Sequence, residues 1–213
     1  MNFYGYFRSS AAYRCRIALN LKGISYKFVP IHLRRDGGEQ TKQDYLKINP
    51  QGLVPALEVD GAILTQSLAI IEYLDEVYPV PPLMPRSAIE RAKVRAIAEI
   101  IACDTHPLQN LRVLQYLKQD LSQTQDTVDK WCQNWIHKSL LACEALLSGQ
   151  ISDFAFGNMP SLADVCLIPQ LYAADRFRVD LSSMPKLTAI RRNCEVLPAF
   201  AEAHPDRQPD YES

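Results

Sequence analysis

The sequence predicts a two-domain protein in which an α/β domain is followed by an all-helical domain, and three observations carry that prediction. Strand-like and helix-like stretches alternate over the first part of the chain. Four prolines then fall between Pro79 and Pro85, where they form a stiff connector because proline cannot continue a helix. Beyond them, apolar residues recur at the three- and four-residue spacing of amphipathic helices. We therefore place the α/β domain at residues 1–79, the linker at 80–86 and the helical domain at 87–213.

The α/β domain is predicted to begin with a βαβ unit, in which a strand over 2–6 leads into a helix over about 11–21 and a second strand over 26–32. A hairpin follows, because Asp60-Gly61 favours a tight turn between two short apolar runs. A βαβ unit followed by a hairpin and a helix is typical of a thioredoxin-like domain. The remaining elements expected here are a short helix near 41–47, strands over 56–59 and 62–64, and a helix over 67–77.

The second domain is predicted to open with a long helix over about 87–118. This helix is interrupted near Thr105-His106-Pro107, because an internal proline kinks or breaks a helix. Ser161 and Asp164 have the spacing of a capping box at a helix start. Further helices are expected over 126–147, 162–177, 185–192 and 197–203.

Composition excludes several classes of function. The formal net charge of −1 argues against a nucleic-acid partner, which requires a concentrated basic face. No apolar stretch approaches the length of a membrane span, and the first residues lack the pattern of a signal peptide. The six cysteines occur singly, which favours buried thiols over a disulfide framework or a metal site. We expect a cytoplasmic protein with no bound metal and no membrane contact.

The junction between the first strand and the first helix has the composition of an anion site. Ser9 or Ser10 can cap the helix, so its unpaired N–H groups and positive dipole end face these hydroxyls. Such a place suits an anion, and it lowers the pKa of a bound thiol. Arg8, Arg14 and Arg16 add positive charge. The alternative is an ordinary capped helix with solvated arginines.

A second pair of motifs favours the anion site. Pro55 must stand at a strand start, and a cis Val54-Pro55 bond turns the Val54 N–H and C=O outward to pair with an extended peptide. Ser67 is predicted to cap the next helix and to form a second anion socket with its free N–H groups. Together these features match the needs of a short, acidic, thiol-bearing peptide.

Motifs along nearly the whole chain resemble the glutathione transferases, and within them the zeta class. The resemblance implies the glutathione-transferase architecture, glutathione as cofactor and a homodimer. It also implies cis–trans isomerisation of maleylacetoacetate to fumarylacetoacetate by thiolate addition, bond rotation and elimination. The motifs that carry it are Arg8-Ser9-Ser10, Asn49-Pro50, Val54-Pro55, residues 66–74, residues 106–111, Ala163-Asp164, residues 167–170, residues 176–181 and residues 204–210.

The resemblance also implies roles for individual residues. One serine, for which we choose Ser9 with Ser10 in support, hydrogen-bonds the glutathione sulfur and favours its thiolate. The dicarboxylate substrate requires arginine forks, since planar carboxylates pair well with guanidinium groups. The residues expected to hold glutathione are Val54 for the cysteinyl backbone, Gln66 and Ser67 for the γ-glutamyl carboxylate, His32 and Gln40 for the glycyl end, and His106 with Asn110 from the second domain. The residues expected to hold the substrate are Arg8, Arg112 and Arg176.

Several alternatives stay open at this point. The family motif usually continues with cysteine and serine, whereas this chain has Ala11 and Ala12, so no protein cysteine acts there. That departure, together with His106, makes maleylpyruvate isomerisation a close rival. A glutathione-binding protein without turnover is a third possibility. For single residues, His106 can be structural, and Arg176 can form a salt bridge with Asp175 or Asp180.

Overall fold

The computed structural model describes residues 1–212, which form two compact units. The first unit comprises Met1–Pro82 together with the chain from Leu197 onward, and the second comprises Leu83–Val196. Within residues 1–212 none of the helices is both long and apolar enough to cross a bilayer.

The first unit is built on a four-stranded mixed sheet with the strand order β2-β1-β3-β4. Strand β1 pairs in parallel with β2 and antiparallel with β3, and β3 pairs antiparallel with β4. The hairpin turn between β3 and β4 has positive φ at both Asp60 and Gly61, as the predicted tight turn requires. The strands are β1 (Asn2–Gly5), β2 (Lys27–Pro30), β3 (Ala56–Val59) and β4 (Ala62–Thr65).

Three helices accompany this sheet: α1 (Ser10–Leu21), α2 (Gln43–Leu46) and α3 (Ser67–Val77). Helix α1 packs against α3, and Ile17, Leu19 and Ile70 of these two helices are fully buried. The order of these elements confirms the predicted thioredoxin-like domain.

The second unit is all-helical, and its first long helix is broken as the sequence predicts. Helix α4 (Ala88–Glu99) passes into a widened turn over Ile100–Thr105 and a tight turn over His106–Gln109. At α7 the capping box is formed, with Ser161 and Asp164 bonding to each other's backbone and side chain. The other helices are α5 (Leu111–Gln119), α6 (Gln125–Leu147), α7 (Leu162–Arg176) and α8 (Pro185–Glu195).

The end of the chain packs in the first unit, although the sequence grouped it with the helical domain. Helix α9 (Pro198–Ala203) contacts α1, where Asn20 donates to the Ala199 carbonyl at 3.0 Å. Helical periodicity reports that a segment has an apolar face but not which surface covers that face. The difference therefore lies in tertiary packing rather than in the helix prediction.

Candidate active site

The strand register brings three predicted site segments to one end of the sheet in the first unit. Tyr4 of β1 lies opposite Ala56 of β3, and Ala56 lies opposite Thr65 of β4. Since β3 runs antiparallel to both neighbours, the chain leaving β1, the chain entering β3 and the chain leaving β4 meet at this end. These three segments carry the serine pair, Val54 and Gln66-Ser67.

Ser9 is the residue that caps α1. Its Oγ accepts a hydrogen bond from the Ala12 N–H at 3.2 Å, whereas Ser10 is the first helical residue and is buried. Because the Ser9 oxygen acts as acceptor here, its own proton is left to donate to a ligand. The first turn of α1 contains no acidic residue, so its positive dipole end is not neutralised. These contacts favour Ser9 over Ser10 as the donor to a bound thiol.

Ser67 does not cap α3, contrary to the sequence prediction. It is the first helical residue, and Gln66 occupies the cap position without a capping bond. The physical reason is that the Ser67 hydroxyl turns toward α1, where its Oγ accepts from Arg14 Nη1 at 3.1 Å. Arg14 is only 1% exposed and Arg16 is fully buried, so the alternative of solvated arginines is wrong for both.

The contact of Arg14 with Ser67 is one that sequence reasoning missed. The available signal was a charged residue on a helix whose neighbours Tyr13, Cys15 and Ile17 are apolar. A buried cation requires a partner, and here the partner is a hydroxyl at the amino terminus of another helix. The contact places a positive charge directly behind the predicted carboxylate socket.

Gln66 has the most unusual backbone among the site residues. Its φ is +67° and its ψ is 120°, a conformation that costs a non-glycine residue free energy and that is common at ligand sites. The side chain is exposed, and its Nε2 donates to Gln51 Oε1 at 2.8 Å. This bond links Gln66 to the loop that carries Val54.

Val54 is held in a fixed loop with its own backbone groups left open. The Val54–Pro55 bond is cis, the isomer that the sequence analysis considered. The preceding Leu53 carbonyl accepts from Tyr45 Oη at 2.7 Å and from Asn49 Nδ2 at 2.6 Å. Among the groups of residues 1–212, none forms a hydrogen bond with the N–H or C=O of Val54. An extended peptide is therefore able to pair with this residue.

The two candidates for the glycyl end differ in what already contacts them. Gln40 Nε2 donates to the Leu33 carbonyl at 3.3 Å, while its Oε1 is buried and has no hydrogen-bond partner among the described residues. The His32 imidazole is engaged at both nitrogens: Nε2 lies 3.0 Å from Glu212 Oε2, and Nδ1 accepts from the backbone N–H of Arg35 at 2.7 Å. Gln40 thus has an unpaired amide oxygen, which is able to accept from the glycyl N–H of the ligand.

In the second unit, His106 is half-buried in a turn that other residues hold in place. Trp131 Nε1 donates to the Leu108 carbonyl at 2.8 Å, and Gln109 Nε2 donates to Gln170 Oε1 at 2.7 Å. Just beyond the turn, Asn110 caps α5 by accepting from the N–H of Arg112 at 3.2 Å, and the Arg112 side chain is exposed.

Arg176 is exposed at the end of α7, and its guanidinium carbon lies 5.5 Å from the centre of the Phe177 ring. The two carboxylates considered as salt-bridge partners are bonded to other groups. Asp175 pairs with Arg191 at 2.5 Å, and Asp180 accepts from Ser182.

The first unit has what glutathione requires. Two helix amino termini without acidic residues in their first turns supply N–H donors and positive dipole ends. Ser9 supplies a hydroxyl proton, Val54 supplies open backbone groups, and Ser67 supplies a hydroxyl backed by Arg14. A tripeptide with an internal thiol and a terminal carboxylate fits this set of donors and acceptors.

Comparisons with known proteins identify the family. Residues 3–82 match the family model described as "Glutathione S-transferase, N-terminal domain". A probable maleylacetoacetate isomerase from Vibrio cholerae is 49% identical over 208 residues, which cover 97% of this chain and 96% of that protein. The holo structure of a maleylpyruvate isomerase, described as a bacterial zeta-class glutathione S-transferase, gives a TM-score of 0.97 at 42% identity over 100% of both chains.

A maleylacetoacetate isomerase from Methylobacterium extorquens AM1, solved with bound malonate and glutathione, gives a TM-score of 0.95 at 41% identity, again over 100% of both chains. Similarity of this level over the full length, together with the family model, leaves the assignment unambiguous. The chain belongs to the glutathione transferase family, and within it to the zeta class.

Proposed function

We propose that this protein catalyses the glutathione-dependent cis–trans isomerisation of maleylacetoacetate to fumarylacetoacetate. The observation that carries the proposal is the meeting, at one end of the sheet, of the Ser9 hydroxyl, the open Val54 backbone and the Ser67–Arg14 pair. The names of the full-length relatives support the same reaction. We further propose that the protein works in the cytoplasm as a homodimer.

Ser9 is the residue that activates the nucleophile. When bound, glutathione supplies a thiolate that adds to the cis double bond and leaves after rotation about the resulting single bond. The Ser9 hydroxyl donates to the sulfur and, with the amino terminus of α1, lowers the pKa of the thiol. Ser10 supports this arrangement as the first residue of the helix.

Recognition of the tripeptide is divided among groups from separate segments. Val54 pairs with the cysteinyl backbone, while Gln66 and Ser67 bind the γ-glutamyl carboxylate. At the glycyl end we propose Gln40 and His32. His32 binds the ligand after its imidazole has released Glu212. From the second unit, His106 and Asn110 contact glutathione or the substrate.

Arginines bind the two carboxylates of the substrate. Arg8 directly precedes the catalytic serine, is half-buried, and stacks on the Phe7 ring with 5.5 Å between its guanidinium carbon and the ring centre. Arg176 and Arg112 are exposed arginines of the second unit that supply further forks. Such forks orient the diacid and neutralise charge that develops during addition.

Maleylpyruvate isomerisation is the second candidate. Ala11 stands where the family motif usually has cysteine. In addition, the backbone of a maleylpyruvate isomerase superposes closely on that of this chain. A side-by-side spectrophotometric assay of both maleyl compounds tests the choice. We expect kcat/KM to favour maleylacetoacetate by at least about ten-fold. A preference for maleylpyruvate would reverse the assignment.

The same experiment separates an enzyme from a binding protein. Retention on immobilised glutathione together with an ultraviolet thiolate band, but no turnover of either compound, would indicate a glutathione-binding protein without isomerase activity. The Ser9→Ala variant serves as control, since it should lose the thiolate band while still being retained.

A further inference from the structure

The last residues of the described chain are bonded to the segment that carries Ser9. We call residues 205–212 the tail. The Phe7 N–H donates to Asp210 Oδ2 at 2.9 Å, although 203 residues separate the two positions. Next to it, the Tyr211 ring meets the Phe7 ring edge to face, with 5.5 Å between the ring centres. The tail therefore contacts the chain two residues before the serine that we assign to catalysis.

Arg16 holds the same segment from the opposite side. Its Nη2 donates to the Phe7 carbonyl at 2.9 Å and its Nη1 to the Tyr6 carbonyl at 3.4 Å. Its Nε donates to the Ala203 carbonyl at 3.0 Å, just before the tail begins. Burial lowers the pKa of Arg16 to about 10, which leaves the guanidinium charged at neutral pH. Both backbone groups of Phe7 are thus bonded to charged side chains.

A continuous series of hydrogen bonds connects the Tyr6–Phe7 backbone to the Ser9 hydroxyl. The Tyr6 carbonyl that Arg16 contacts also accepts from the Ser9 N–H at 3.1 Å. The Ser9 carbonyl accepts from Tyr13 N–H at 2.8 Å, and the Ser9 Oγ accepts from Ala12 N–H at 3.2 Å. The position of Ser9 is therefore set on one side by α1 and on the other by the Tyr6–Phe7 backbone.

Asp210 occupies an environment that is costly for a carboxylate. Its Oδ1 is buried without a hydrogen-bond partner among residues 1–212. Burial raises the pKa of Asp210, while the Phe7 N–H and the Arg16 charge favour its ionised form. An incompletely bonded buried carboxylate destabilises the fold, so a role beyond packing is the more economical explanation.

We propose that Asp210 and Arg16 are positioning residues that together hold the Tyr6–Phe7 backbone so that the Ser9 hydroxyl points at the bound sulfur. The proposal rests on the role assigned to Ser9 under the proposed function. It makes the tail part of the thiolate-activating site rather than a structural appendage. A hydrogen bond to sulfur depends steeply on geometry, and a displacement of about 1 Å is sufficient to weaken a catalytic contact strongly.

The test compares Asp210→Ala with Asp206→Ala in the full chain. Asp206 is a matched control, because it is an exposed tail carboxylate whose partner is His204 at 3.7 Å and not Phe7. The first readout is a pH titration of the ultraviolet thiolate band of bound glutathione. The second is hydrogen exchange of the Ser9 and Phe7 amides in the protein without ligand.

For Asp210→Ala we expect the pKa of the bound thiol to rise by about one unit, which lowers the ratio of thiolate to thiol about ten-fold at a given pH. The KM for glutathione should change little, because the tail contacts none of the groups proposed to hold its carboxylates except His32. The Ser9 amide should exchange faster. Asp206→Ala should match the wild type in all three measurements, and Asp210→Asn, which keeps an acceptor oxygen, should restore most of the thiolate.

Two results overturn the proposal. The first is that Asp210→Ala has the wild-type thiolate titration and the wild-type exchange rate at the Ser9 amide. The second is that Asp206→Ala shifts the pKa of the bound thiol as much as Asp210→Ala does. Should Asp210→Ala not fold, a chain ending at Gln208 takes its place in the same measurements, while Asp210→Asn remains the variant expected to keep most of the thiolate. A Ser9→Ala variant with an unchanged thiolate titration would instead refute the role of Ser9, so the two failures are distinguishable.

Discussion

Arg14 Nη1 donates to Ser67 Oγ at 3.1 Å, and this bond joins the amino-terminal part of α1 to the first residue of α3 across 53 positions of sequence. Because the arginine occupies a lone pair of the hydroxyl, the Ser67 proton is left to donate to a carboxylate. The pair thus fixes the direction of a donor as well as supplying a charge. Neither residue would do this alone.

Replacing Arg14 with Met should weaken glutathione binding more than it lowers kcat. Losing one charge-assisted hydrogen bond costs about 1.5–3 kcal/mol, so the KM for glutathione should rise roughly ten- to a hundred-fold. Steady-state kinetics measure the effect, and thermal denaturation monitors folding because Arg14 is buried. A glutathione analogue amidated at the γ-glutamyl α-carboxylate is the control. If the substitution weakens binding of the analogue equally, Arg14 does not act through that carboxylate.

Changing Ser9 to Ala should raise the pKa of bound glutathione and reduce turnover about ten- to a hundred-fold, since one charge-assisted hydrogen bond to sulfur is lost. The free energy of unfolding should fall by about 1 kcal/mol, because the same hydroxyl caps α1. Thiolate absorbance and chemical denaturation separate the two effects. Ser10→Ala is the matched variant, and full activity of Ser9→Ala alongside loss in Ser10→Ala would exchange their roles.

Removing a substrate arginine should affect the diacid and leave glutathione unaffected. Arg8→Ala or Arg176→Ala should raise the KM for the maleyl substrate by one to two orders of magnitude, from roughly 1.5–3 kcal/mol per lost charged hydrogen bond. The thiolate band and the KM for glutathione should stay near wild type. Arg192→Ala, which removes an exposed arginine of α8, serves as control. Normal turnover by both substrate variants would point to a neutral electrophile instead of a dicarboxylate.

The protein should sediment as a homodimer. Closed two-fold pairs are the commonest assembly of soluble proteins, and the family resemblance carries the same expectation for this chain. Sedimentation velocity at micromolar concentration measures the mass directly against the 24.1 kDa of one chain. A monomeric mass with full activity would contradict the prediction.

The tail should loosen in acid. The hydrogen bond from His32, together with the charge of Arg35, holds the pKa of the Glu212 carboxyl below its ordinary value of 4.5. A lowered pKa means that this attachment is complete above pH 4.5 and is lost as the pH falls through the lower value. Protection of the Tyr211 amide, which donates to the Gln208 carbonyl, measures the attachment by hydrogen exchange.

In Glu212→Gln the part of that acid dependence that belongs to Glu212 should vanish, because this side chain no longer titrates, whereas the part that belongs to Asp210, whose pKa is raised by burial, should remain. Glu202→Gln removes an exposed carboxylate of α9 and should retain the wild-type pH dependence. The explanation fails if both variants behave alike.

Local patterns were sufficient for most of the first unit. The bounds of β3 and α3 match the prediction. The signals that predict them are local: strand alternation, the Asp60-Gly61 turn and the apolar spacing of the helix all lie within a few residues of the element concerned. The break at His106-Pro107 and the capping box at Ser161 follow from single residues with strong local preferences. The sequence also marked Ser9, Val54 and Ser67 as site candidates.

Tertiary structure alone decided how those candidates are supported. The pairing of Arg14 with Ser67, the contact of Asp210 with Phe7 and the placement of α9 in the first unit join positions far apart in the chain. Local periodicity does not predict which distant residues form these contacts, because an amphipathic face indicates only that another surface covers it. The sequence therefore left open whether Arg14 and Arg16 are solvated, and the end of the chain was grouped with the helices that precede it. The residues that we propose for the chemistry could be selected from the sequence, whereas the contacts that orient them form only when the chain has packed.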